Sequence, residues 1–185
     1  MQDSKLLTGN ITKSLLLFAL PMIAGNLLQQ CYNIADTVIV GRFLGADALA
    51  AVGSAYTLMT FLTSIILGLC MGSGASFSIS FGRGDLDRMK NGIFQSFVFI
   101  GIVTAAVNLA VFLGIDGIIW FLRVPDSITA LMRDYLLVIF AGITATFLYN
   151  YFACLLRSVG NSRVPLLFLA VSAVMNIVLD LIFVV

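Results

Sequence analysis

Apolar residues run along this chain in long blocks, with charges gathered between them. Consecutive charges bound uncharged runs of 22 residues (14–35), 35 (48–82), 25 (91–115) and 22 (135–156). A last stretch of 22 (164–185) holds one charge, Asp180. A helix needs about 20 mostly apolar residues to cross a bilayer, so each block predicts one crossing. The predicted spans are 14–40, 48–80, 91–115, 128–156 and 164–185, after a polar leader at 1–13. The 35-residue run is too short for two crossings and a turn. It predicts one long helix, loosened near Gly68, Gly72 and Gly74, although close helix packing is the commoner use of such glycines. Barrel strands alternate apolar and polar residues over about ten positions, and these runs do not alternate. The first run is too long for a cleaved signal peptide, and no small-residue cleavage site follows it. The predicted fold class is an all-α polytopic membrane protein with five transmembrane helices and no room for a soluble domain.

Local punctuation agrees. Pro125-Asp126-Ser127 is a start signal for the fourth helix. Gly160-Asn161 ends that helix, and Pro165 lies in the first turn of the fifth. Ile115 to Leu122, with Asp116 and Trp120, reads as a frayed end of helix three at the membrane interface, where Trp is an anchor. The chain stops at Phe183-Val184-Val185 without a polar tail, which leads us to expect part of a longer protein or one half of an assembly.

Composition narrows the function. The chain is 61% hydrophobic and 10% charged, with a mean hydropathy of +1.09. Ordinary soluble domains carry about 25% charged residues. A net charge of +1 offers no basic surface for nucleic acid. The absence of His removes the usual general base and the commonest metal ligand. Cys31, Cys70 and Cys154 all fall inside predicted spans, without disulfide or zinc spacing, and read as packing residues. Gly82-Arg83-Gly84 lacks the surroundings of a phosphate loop. No Lys lies within a span to activate a Ser, so an enzyme is not expected. Cations set the orientation. Lys5, Lys13, Arg83, Arg88, Lys90, Arg157 and Arg163 share one side, against Arg42, Arg123 and Arg133 on the other. The N-terminus is therefore expected in the cytoplasm.

Two polar clusters lie where lipid would be. Asn26, Gln29, Gln30, Asn33, Asp36 and Thr37 fall within about 120° on the wheel of helix one, at about 100° per residue. Pro21, one turn earlier, removes a backbone hydrogen bond and invites a kink. Ser172, Asn176 and Asp180 share a face of helix five at i, i+4, i+8. An Asp at the centre of a bilayer costs about 2.5–3.5 kcal/mol on insertion scales, so both stripes should face protein or a water-filled cavity. Carboxylates with amide neighbours can exchange protons there, or with hydroxyl oxygens hold a hard cation such as Na⁺. The alternative is that each Asp and amide is interhelical glue, hydrogen-bonded across helices without any transport role.

Several stretches together resemble the multidrug and toxic compound extrusion (MATE) family. In helix one these are Leu-Pro-Met-Ile (20–23), Asn-Leu-Leu-Gln-Gln (26–30), Tyr-Asn-Ile-Ala-Asp-Thr (32–37) and Val-Gly-Arg-Phe-Leu-Gly (40–45). Further on come Ala-Leu-Ala-Ala-Val-Gly (48–53), Gly-Ser-Gly-Ala-Ser (72–76) and Phe-Gly-Arg-Gly-Asp (81–85). Leu-Leu-Arg-Ser-Val-Gly-Asn-Ser-Arg-Val-Pro (155–165) and Asn-Ile-Val-Leu-Asp (176–180) complete the series, in family order. The resemblance implies an antiporter that exports organic cations or drug-like compounds against H⁺ or Na⁺, in the cell (plasma) membrane and without a cofactor. It implies twelve helices in two six-helix lobes, of which this chain would be most of the first. Helix six and the C-terminal lobe would then lie in the same or another chain. Asp36, Asn176 and Asp180 match the family's cation site, whose helix-six hydroxyl lies beyond this sequence. Asn26, Gln29, Gln30, Asn33, Thr37 and Ser172 are candidate cavity-lining residues. A related flippase for lipid-linked sugars is an alternative, weakened by the lack of mid-span Lys or Arg to meet a diphosphate. A non-transporting membrane assembly module is another.

Overall fold

The computed structural model describes residues 11–183. The predicted leader through Asn10, and Val184-Val185, lie outside the described residues. Six helices follow in order: α1 (Ile11–Phe43), α2 (Gly45–Gly82), α3 (Leu86–Phe121), α4 (Asp126–Ala141), α5 (Ile143–Ser158) and α6 (Arg163–Phe183). No strand occurs among the described residues. Four of these helices are long and apolar enough to cross a membrane singly; α4 and α5 do so together, bent by 45°.

The bundle has two parts. The buried core is built from α2, α3, α4 and α5, with Ile66, Ile100, Met132, Leu136, Phe140 and Tyr151 nearly inaccessible. Neither α1 nor α6 contributes to it. Those two helices pack mainly on each other, and α1 also touches α2. Both polar stripes therefore sit on the pair outside the core.

Three of the five connections use one device. After α2, Gly84 N–H donates to Phe81 O and Asp85 N–H to Ser80 O; after α5, Gly160 donates to Arg157 O and Asn161 to Leu156 O. These are Schellman closures, and Gly84 and Gly160 have the positive φ they require (73° and 86°). The Asp85 and Asn161 side chains then accept from Arg88 N–H (3.0 Å) and Val164 N–H (3.2 Å), capping α3 and α6. After α3 the same closure falls on Arg123, at φ 52°. The left-handed conformation costs a residue with a Cβ about 1–2 kcal/mol. Arg123→Gly should therefore stabilise the protein by up to about 1 kcal/mol net of unfolded-chain entropy, read as a raised unfolding midpoint in detergent.

Three expectations are corrected. The fourth span is not one helix: it breaks at Gly142, whose N–H donates to Ile139 O at 3.0 Å, a tightened i to i−3 bond. Even a Cβ here would lie 3.3 Å from Ile139 O. Glycine thus permits the tight turn that an apolar run could not announce. Conversely, α2 continues unbroken through Gly68, Gly72 and Gly74. Gly74 is a packing position, its missing Cβ 3.5 Å from Cys154 Cβ. The end of α3 does not fray but runs helical to Phe121, with Ile115 and Ile119 buried. Trp120 is exposed there.

The register of α3 against α4 and α5 is continuous across the break. Ser96 meets Tyr151 at 2.9 Å, Gly101 lies beside Phe147, and Asp116 pairs with Arg133 at 3.6 Å. Between these contacts Thr104 and Asn108 fall at the level of Gly142. Thr104 Oγ1 and Asn108 Oδ1 are buried with no hydrogen-bond partner among the described residues.

Candidate functional site

The α1–α6 pair is held close by a glycine. A Cβ on Gly25 would meet Leu169 Cδ2 at 3.4 Å and Leu166 Cδ1 at 3.6 Å. Gly25 and Asp36 are eleven residues apart, as are Leu169 and Asp180. The two helices run parallel, so about 16 Å farther along the pair the equal spacing puts the two carboxylates at a similar level. Asp36 and Asp180 are close enough for their charges to act on each other, and Tyr135 of α4 lies within the same range of Asp36.

Asp36, Asn176 and Asp180 are all half-buried. Asn176 Oδ1 and Asp180 Oδ2 are buried acceptors without a partner among the described residues. An unsatisfied buried polar group costs about 1–3 kcal/mol. Carboxylate and amide oxygens are hard donors, a chemistry suited to H⁺ or Na⁺ and unsuited to soft metals. No group of three or more His, Cys, Asp or Glu side chains assembles among the described residues.

The other predicted positions divide. Asn33 is half-buried, whereas Asn26, Gln29, Gln30, Thr37 and Ser172 are exposed. The α1 stripe is partly self-satisfied: Gln29 Nε2 donates to Tyr32 Oη (3.4 Å), Asn33 Nδ2 to Gln30 Oε1 (3.3 Å) and Thr37 Oγ1 to Asn33 O (2.8 Å). Pro21 lies inside α1, which continues through it. Sequence reasoning missed Tyr135, which carries no signal beyond being an aromatic in a span. It also missed Thr104 and Asn108, although their i, i+4 spacing in an otherwise apolar run was a readable sign.

The Gly25 contact yields a graded expectation. Gly25→Ala adds a Cβ at ordinary contact distance and should change stability little. Gly25→Leu must push α1 off α6, at about 1–3 kcal/mol for overpacking. Unfolding midpoints of the two variants, purified side by side, check this; equal midpoints would contradict the close α1–α6 contact.

The MatE family model matches residues 21–182. Probable multidrug resistance protein YpnP of Bacillus subtilis (strain 168) is 33% identical over 176 residues, covering 95% of this chain and 40% of that protein. YoeA of the same organism, also named a probable multidrug resistance protein, is 31% identical over 173 residues, 92% of this chain and 37% of its own. Among solved structures, the outward-facing conformation of a multidrug resistance MATE family transporter of the MOP superfamily superposes with a TM-score of 0.91. It is 25% identical and is covered to 40% by 99% of this chain. The chain thus spans about 40% of the length of these proteins.

Proposed function

This chain belongs to the MatE family, and on that premise we propose that it forms most of the first lobe of a cation-coupled exporter of organic cations or drug-like compounds. The family is one of multi-pass membrane transporters rather than enzymes. The observation that supports the coupling assignment is the packing of α1 on α6, which carries Asp36 and Asp180 within electrostatic range of each other, together with the unpartnered oxygens of Asn176 and Asp180.

In this reading, H⁺ or Na⁺ is the counter-substrate. Its arrival neutralises the facing carboxylates and satisfies the orphaned acceptors. The α1–α6 pair then settles into a different packing against the core, with Pro21 as the point where α1 can bend. Export follows if the two packings differ in affinity for the cationic substrate, because a ligand shifts an equilibrium only by its differential affinity. Alternating access needs one bundle to rock against another, so the working unit includes a second lobe. In this reading the N-terminus lies in the cytoplasm, as the distribution of Lys and Arg suggests, and the protein in the plasma membrane, as the family resemblance implies.

The test is drug susceptibility of an efflux-deficient host expressing the full reading frame. Protection against several structurally unrelated cationic compounds is the expected result. A protein that reaches the membrane and protects against none of them overturns the reading.

A further inference from the structure

At the end of the bundle that carries Arg83, Arg88, Lys90, Arg157 and Arg163, a groove of about 340 Å³ opens between α3 and α5. It is lined by Lys90, Ile93, Phe94, Phe97, Tyr151 and Phe152. Its walls are almost wholly apolar. The one hydroxyl among them is engaged elsewhere: Tyr151 Oη donates to Ile93 O at 2.6 Å and lies 2.9 Å from Ser96 Oγ. Phe94 is 71% exposed and Phe152 49%, so aromatic faces are left open along the groove. Lys90, Phe94 and Phe97 follow at i, i+4 and i+7 and form one strip of α3. Lys90 is also the last charge before the uncharged run of that span. The strip therefore passes from a cation at the membrane surface to aromatics at hydrocarbon depth.

We propose that this groove is a binding site for an anionic phospholipid, its acyl chain against Phe94, Phe97 and Phe152 and its phosphate at the Lys90 ammonium. Lys90 meets Asp87 at 3.7 Å, with both side chains well exposed. Such a pair is weak and leaves the ammonium able to turn to a phosphate. A neutral lipid would gain the aromatic contacts but not the charge, and a peptide would bring backbone donors and acceptors that these walls cannot satisfy. The proposal needs α3 and α5 to face lipid and holds whichever compound the protein moves.

The test uses the full-length protein with Phe94→Trp as reporter and its other tryptophans replaced by phenylalanine. It is reconstituted in phosphatidylcholine vesicles carrying either brominated phosphatidylglycerol or brominated phosphatidylcholine as quencher. Phosphatidylglycerol should be preferred about fivefold, the factor that one cation is worth beside anionic headgroups. That preference should weaken with salt, vanish in Lys90→Gln and survive in Lys90→Arg. Equal quenching by the two lipids overturns the proposal, as does a preference that persists in Lys90→Gln. Quenching by neither overturns it too, since protein rather than lipid would then cover the groove. Retention of phosphatidylglycerol by the protein without the reporter substitution, through detergent purification, should fall in parallel in Lys90→Gln.

Discussion

Asp36→Asn in the full-length protein is expected to abolish export while leaving expression and membrane insertion intact. The substitution preserves shape and removes the charge. Asn can neither take up and release a proton nor neutralise a bound cation, so the facing Asp180 loses the partner with which it acts. The driving force forgone is about 2.3 kcal/mol per charge for each 100 mV of membrane potential, close to a fiftyfold accumulation ratio. Asp180→Asn should behave alike if, as proposed, the two carboxylates share one site. Asp47→Asn, an exposed carboxylate in the first turn of α2, should retain wild-type export. Resistance profiles and dye efflux in the efflux-deficient host distinguish these outcomes. Wild-type export by Asp36→Asn would remove Asp36 from the mechanism.

Tyr151→Ala should be the most damaging single change to stability. Tyr151 is 1% exposed. Its ring lies 5.2 Å from that of Phe97, 5.8 Å from those of Phe147 and Phe152, and 6.3 Å from that of Phe77, centroid to centroid. It thereby joins α2, α3 and α5 at one point. Aromatic-to-alanine changes in cores cost about 3–5 kcal/mol. Among membrane helices the water-transfer share shrinks and lost packing remains, so we expect the lower end of that range. Tyr151→Phe removes only the hydroxyl's bonds to Ile93 O and Ser96 and should cost about 1 kcal/mol. Unfolding midpoints of the detergent-purified pair check the gradation. Equal losses would mean that the hydroxyl network, and not the ring, holds the junction.

Much of this fold was legible because lipid imposes a simple rule: charges end spans. Each uncharged run falls on one long apolar helix or on the bent α4–α5 pair, and the helix stop at Gly160-Asn161 could be read from its residue types. The break at Gly142 could not be read. It depends on how Ile139 and Gly142 meet in three dimensions, and hydropathy is blind to a bend inside an apolar run. The glycines of α2 misled for the same reason in reverse: the helix runs unbroken through all three, and only Gly74 admits a close neighbour, Cys154. At the site, Asp36, Asn176 and Asp180 stood out as polar residues at depth, but their convergence rests on Gly25. Its role appears only when Leu166 and Leu169 are seen beside it. Tyr135 was invisible to any argument from polarity, because an aromatic in a span is ordinary.

The break in the fourth crossing also bears on how the protein is made. Each of α4 and α5 has 16 residues, about 24 Å of helix against a hydrocarbon core of about 30 Å. Neither half is long enough to be accepted into the bilayer alone. The insertion machinery must therefore take both together as one unit. A ribosome stalled just after Ala141 should hold a segment still short of commitment to the membrane, and one stalled beyond Ser158 a segment already committed.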